Sequence, residues 1–207
     1  MRKFLCTAVA AGCLLFAGSG SAAPTTMGST GLIDAPSADV LREGQLFFGY
    51  YHLHEANTWT VGAGLSDKFE VGFAQADYDG GSDRSYLNLK YALHTEGLLV
   101  PGIAVGLEDV TDESDRTAYV ALSKGLPFGF RLHAGYGGGR YDGFFYAVEK
   151  RLNPVGIGGV FPDTSLIVEH DGHAMNYGMR LSLVPGLKLN AGWRDGDPYV
   201  GATYNLY

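Results

Sequence analysis

"NYGMRLSLVPGLKLNAGWRDGDPYVGATYNLY", residues 176–207, decides the fold. Every second residue is apolar. Tyr177, Met179, Leu181 and Leu183 alternate with Gly178, Arg180 and Ser182. After a Pro-Gly turn, Leu187, Leu189, Ala191 and Trp193 alternate with Lys188, Asn190, Gly192 and Arg194. After Asp-Gly, Val200, Ala202, Tyr204 and Leu206 alternate with Gly201, Thr203 and Asn205. Period-two alternation interrupted by Gly and Pro turns is the mark of antiparallel strands.

The same pattern runs backward through the chain. In "FEVGFA", residues 69–74, Phe69, Val71 and Phe73 oppose Glu70, Gly72 and Ala74. In "YLNLKYAL", Leu87, Leu89, Tyr91 and Leu93 oppose Asn88 and Lys90. "FRLHAGY" sets Phe130, Leu132 and Tyr136 against Arg131 and His133, and further on Phe144, Tyr146 and Val148 oppose Ala147, Glu149 and Arg151. About twelve strands are expected, near 45–54, 57–65, 68–77, 85–94, 101–109, 115–124, 128–138, 142–152, 164–171, 174–184, 187–195 and 198–207. No window after the first two dozen residues reads as a long amphipathic helix. The 31 glycines, 13 tyrosines and 11 phenylalanines fit an all-β chain with tight turns.

An apolar face and a polar face have two physical readings. A soluble sandwich or lipocalin-like barrel puts the apolar face inside. A membrane barrel turns it to lipid and lines its interior with the polar face. Three features favour the second. The segments are as long as tilted spanning strands. The connections alternate in chemistry: "HEAN", "DYDGGSD", "EDVTDESD", "GGGRYDG", "EHDGH" and "RDGDP" are charged or Gly-rich, whereas "LSDK", "HTEGLLVPG", "SKGLPFG", "NPVGIGGVFPD" and "LVPG" carry few charges. An up-and-down barrel sends alternate connections to opposite ends. The last strand also ends on an aromatic residue, Tyr207. An open sheet edge is not tolerated in hydrocarbon, so first and last strands must pair. The expected fold is an antiparallel up-and-down transmembrane β-barrel spanning 45–207, in the cell outer membrane.

The polar face would place Glu70, Lys90, Glu108, Arg131, Glu149, Arg151, Glu169, Arg180, Lys188 and Arg194 in the interior. They would form either an ion-paired filling or a narrow polar path.

The chain opens "MRKFLCTAVAAGCLLFAGSGSAAP". A basic start, an apolar run from Phe4 to Ala17 and small residues near Ala22 and Ala23 read as a secretory signal peptide over 1–22. Lipidation at Cys13 is the alternative. Both cysteines, Cys6 and Cys13, lie in this stretch, so the mature chain is expected to lack disulfides, thiol nucleophiles and Cys-bound metal. Loss of Arg2 and Lys3 takes the net charge from −7 to −9. Such a chain is a poor nucleic-acid binder.

Candidate chemistry is sparse. The acidic run at 108–115 could hold calcium but lacks an EF-hand spacing, and reads better as a solvated loop. His170, Asp171 and His173 could activate water or bind metal, or could simply form a hairpin tip. No His-x-Ser or nucleophile-elbow motif occurs, and "GYGGGR" at 135–140 precedes no helix that could cradle phosphate. The expectation is no enzyme, no cofactor and no metal.

Between signal and first strand lies "GLIDAPSADVLREG", residues 31–44. Pro36 fixes an extended turn, Ser37 or Asp39 can cap one helical turn, and Gly44 can end it. A lead-in over 23–44 is expected at the barrel mouth, anchored by Leu32 and Ile33.

This stretch resembles the opening signature of the YjbH-like family of outer-membrane β-barrels, through Gly31, Leu32, Ile33, Asp34, Pro36, Ser37, Ala38 and Gly44. "VGLEDVTDESDRTAYVALSKGLPFGFRLHAGYGGGR" and "SLIVEHDGHAMNYGMRLSLVPGLKLNAGW" are similar to later parts of that family. The resemblance implies a role in exopolysaccharide assembly or export. Its implied partners are outer-membrane lipid, the barrel-insertion machinery, and polysaccharide or its export proteins. A pore or structural barrel without that role, or a hydrolase using the 170–173 loop, are the alternatives.

Overall fold

The computed structural model describes residues 23–152 and 162–206. The expected signal peptide, its cleavage and lipidation sites, the tip of the eighth connection and Tyr207 lie outside the described residues. Twelve strands form: β1 (Leu46–His52), β2 (Ala56–Ser66), β3 (Phe69–Tyr78), β4 (Arg84–His94), β5 (Gly102–Glu108), β6 (Thr117–Gly125), β7 (Phe130–Gly137), β8 (Gly143–Arg151), β9 (Asp163–His170), β10 (Met175–Val184), β11 (Leu187–Arg194) and β12 (Asp197–Leu206). Their bounds lie within two residues of those expected from alternation.

Each strand pairs antiparallel with the next, and β1 pairs with β12 from Leu46↔Leu206 to His52↔Val200, so the sheet closes on itself. Closure leaves no row of unpaired backbone groups. Register breaks occur near the ends of β2, β4 and β10, at Gly64/Ser66, Ala92/His94 and Ser182/Val184. Such bulges raise local twist at a barrel rim.

The apolar face points outward. Phe48, Trp59, Phe73, Tyr91, Leu107, Val120, Leu132, Tyr146, Val168, Tyr177, Leu189 and Val200 are all exposed around the wall. The alternate positions are buried and mostly polar: Thr60, Glu70, Asn88, Lys90, Ser123, His133, Glu169, Asn176, Arg180, Lys188 and Asn190. This inverts the arrangement that hydrophobic burial gives a protein dissolved in water.

The two ends differ as the connections suggested. One mouth carries Glu55, Asp79, Asp83, Asp112, Glu113, Asp115, Asp142 and Asp195 in its connections. The other exposes Leu98, Leu99, Val100 and Phe128. Phe128 holds a left-handed backbone at φ 65°, with Lys150 Nζ donating to its carbonyl. β1 begins at this apolar mouth.

Candidate functional site

A barrel whose inward face is charged must fill its interior, admit water, or pair its charges. This one is filled by its own lead-in. From Ala23 to Leu41 every residue is buried except Met27, Asp39 and Val40, which are half-buried. The segment has no period that would make a strand or helix. Two isolated bridges, Pro24↔Thr30 and Gly31↔Pro36, fold it into consecutive small loops. Gly31 N–H donates to Ala23 O at 2.8 Å, Thr26 N–H to Ile33 O at 2.9 Å and Leu32 N–H to Ala35 O at 3.0 Å. It passes so close to the wall that a Cβ on Gly72 would lie 2.1 Å from Gly28 O.

No helical turn forms between Ser37 and Gly44, contrary to expectation. The N–H that such a turn would return to Ser37 O, that of Leu41, goes to the wall, and the preceding N–H groups are bound by the wall and by the plug itself. Ser37 N–H donates to Thr30 O, Ala38 N–H to Ser123 Oγ at 2.8 Å, and Leu41 N–H to Glu70 Oε2 at 2.8 Å. Gly44 instead closes a turn at the mouth, with φ 80° and Gln45 N–H donating to Arg42 O. Nor does the segment stop at the mouth. It runs the length of the lumen, from Arg42 beside Gly64 to Asp34 beside Arg140 and Arg194 near the acidic end.

The wall holds this plug largely through its main chain. Glu169 accepts from the backbone N–H groups of Ile33 at 3.0 Å, Asp34 at 2.7 Å and Ala35 at 3.3 Å. Three successive N–H groups converging on one carboxylate form a backbone nest. Arg180 donates to Leu32 O at 2.9 Å and, through Nε, to Asn190 at 2.9 Å. Glu70 accepts from Thr30 N–H at 2.9 Å, and Lys90 donates to Thr30 O and to Asp39 O. Tyr51 hydroxyl donates to Pro24 O at 2.7 Å.

Two side-chain ion pairs pin the segment at Asp34 and Asp39. Asp34 meets Arg194 at 2.5 Å, and Arg194 also reaches Glu55. Asp39 takes both terminal nitrogens of Arg131 at 2.8 Å, and Arg131 reaches Glu96 at 2.8 Å. Next to the Asp34 pin, Leu32 and Ile33 belong to one buried cluster with Tyr51, Leu53, Tyr119, Tyr141, Phe145, Ile167 and Tyr199. They are the expected anchors, deeper than the mouth.

Six of the ten interior charges thus touch the plug: Glu70, Lys90, Arg131, Glu169, Arg180 and Arg194. Glu108 joins indirectly, receiving Arg140 at 2.7 Å and Tyr141 hydroxyl at 2.9 Å, while Arg140 donates to Asp34 O at 2.8 Å. Glu149, Arg151 and Lys188 have wall surroundings instead. Arg151 pairs with Asp163 at 3.5 Å, and Lys188 lies among Arg180, Glu149, Arg151 and Asp163. Sequence reasoning missed Arg140 and Tyr141, which fold back from a Gly-rich connection, and gave Asp39 only as a cap. It gave Asn88 its polar phase without a role, and passed over Ser123 and Asn176, whose phase with the charges could have revealed them.

The remaining candidates are occupied by structure. Asp34, Glu169 and Asp171 bring carboxylate oxygens within 4.8 Å of one another. Thr26, Arg194, the 33–35 nest and Asn176 already donate to the first two. Asp171 accepts from His173 N–H, Ala174 N–H and Asn176, which outweigh burial and hold its carboxyl below the usual range. His170 stacks on Tyr146 with centroids 5.1 Å apart. In the acidic connection, Asp109 accepts the N–H groups of Glu113, Ser114 and Asp115. Burial would raise its carboxyl; these bonds together hold it low.

No curated protein sequence matches the chain. Residues 24–154, the plug and β1 to β8, match the model of the YjbH family, described as exopolysaccharide biosynthesis protein YbjH. With the match covering more than half of its length, this chain belongs to the YjbH family.

Proposed function

We propose that this protein is an outer-membrane β-barrel that assists exopolysaccharide assembly or export, with a lumen closed by its own N-terminal plug. The outward apolar face carries this reading: in water it would leave a hydrophobic surface running around the whole wall, whereas lipid accommodates it. The family description supplies the link to exopolysaccharide. The opening stretch that reads as a signal peptide supports export. Lipid and the barrel-insertion machinery are the partners this placement requires, and polysaccharide or its export proteins are those the family role requires.

The role we assign is not enzymatic. His170 stacks on Tyr146 of the neighbouring strand and Asp171 bonds within the hairpin, so His170→Ala with His173→Ala should leave exopolysaccharide yield unchanged. Loss of yield would point to the hydrolase.

Cell fractionation and heat-modifiable gel migration test placement; recovery as a soluble periplasmic protein would sink it. Deletion of the gene, followed by exopolysaccharide quantification, tests the role. The plugged lumen favours a second reading, a structural barrel without a polysaccharide role, and unchanged yield in the deletion strain would support that one.

A further inference from the structure

We infer that the lumen is a peptide-binding site that reads main-chain conformation, and that residues 23–43 are its ligand, held in cis but replaceable by the same segment of a second copy. The wall's buried charged groups are aimed at backbone atoms. Glu169 takes the N–H groups of 33–35, Arg180 takes Leu32 O, Glu70 takes Thr30 and Leu41 N–H, and Lys90 takes Thr30 O and Asp39 O. Tyr51 and Ser123 extend the pattern to Pro24 O and Ala38 N–H. Sites built this way select a turn and its polarity, as known peptide-recognition modes do. Asp34, Asp39 and the Leu32–Ile33 pair then fix the register.

The connection between ligand and barrel is of a different character. Arg42, Glu43 and Gly44 are exposed, and nothing lies within 4 Å of a Cβ placed on Gly44. This short tether keeps the plug at an effective concentration on the order of millimolar. A micromolar peptide cannot compete with that. Once the tether is cut, cis and trans segments compete on equal terms.

The test uses the full chain, carrying a site for a sequence-specific protease between Glu43 and Gly44. Folding in detergent is verified by heat-modifiable migration. A synthetic peptide of residues 23–43, labelled at its C-terminal end, is added in roughly hundredfold excess over protein. Uncut protein should take up almost no label. Cut protein should release its own segment and bind about one labelled peptide per barrel. A peptide N-methylated at Asp34 loses one N–H to Glu169 and should bind roughly tenfold more weakly or worse. A scrambled peptide should not bind. Loss of the plug without label uptake would overturn the inference, as would a cut plug that never exchanges. Binding of the N-methylated or the scrambled peptide as tight as that of the unmodified one would remove the main-chain reading.

Discussion

Val168 and Glu169 are neighbours on β9, yet they face opposite surroundings. Val168 is 41% exposed on the outer wall between Val148 and Tyr177, while Glu169 is fully buried between Ala147 and Asn176 with the plug's N–H groups on its carboxylate. The strand imposes this alternation on every side chain, so a one-residue slip exchanges the two environments. The comparison separates two kinds of adhesion. Outside, the wall contributes non-directional apolar area; inside, it offers directed bonds to one particular peptide.

The harshest way to break this contrast is to swap the pair, Val168→Glu with Glu169→Val. The swap strands three buried N–H groups and puts a carboxylate on the apolar face. The combined loss is expected to exceed about 5 kcal/mol, comparable with a domain's whole stability. No heat-modifiable folded species should appear; a folded barrel from the swap would mean the two faces are interchangeable.

Ile33→Ala acts on the inner side only. It empties space in the buried cluster that includes Tyr51, Phe145 and Ile167 and should cost roughly 2–4 kcal/mol, read as a lower urea midpoint. An unchanged midpoint would show that the plug's packing is dispensable. Gly72→Ala presses on the same interface from the wall. Its methyl meets Gly28 O at 2.1 Å without correction, and overpacking of that kind costs roughly 1–3 kcal/mol. The plug should loosen, seen as faster proteolysis at the Arg42–Gly44 tether, with the wall intact.

The smallest effect lies at the acidic mouth, beyond both faces. Asp109's carboxyl is held below its ordinary value by N–H groups of its own connection, against the opposing pull of burial. A depressed carboxyl stabilises above its unfolded pKa, about 3.9, and that contribution fades as pH falls through the lower folded value. Acid should therefore open the 110–116 connection to pepsin in the wild-type chain while the wall persists. Asp109→Asn should show the same opening already at neutral pH, by milder proteases. A connection equally resistant in both would discount the Asp109 bonds.

How much of this was legible follows from the same contrast. All twelve strands could be read because an apolar outer face and a polar inner face impose period two on one backbone, and Leu187, Lys188, Leu189, Asn190, Trp193 and Arg194 report their sides by polarity alone. Interior charges were legible by phase; their partners were not. Glu169 and Arg180 bind carbonyl and N–H groups, which every residue has, so Ile33 to Ala35 carry no side-chain pattern announcing a nest. The helical turn expected after Ser37 failed for the same reason: Glu70 captures the Leu41 N–H that the turn would have used. Arg140 was hidden because a Gly-rich connection gives no hint that it returns to the lumen.

The plug comes before every strand in the chain, whereas its nest-binding partner Glu169 follows it by 136 positions from Ile33. Contacts so distant form late, since long loops must close first. The tether joins β1, one side of the β1–β12 seam. The segment can therefore lie in place while the sheet is still open, and no threading is required. A wall that closes last at the seam between Leu46 and Leu206 would shut around the segment, as staves close on a mandrel.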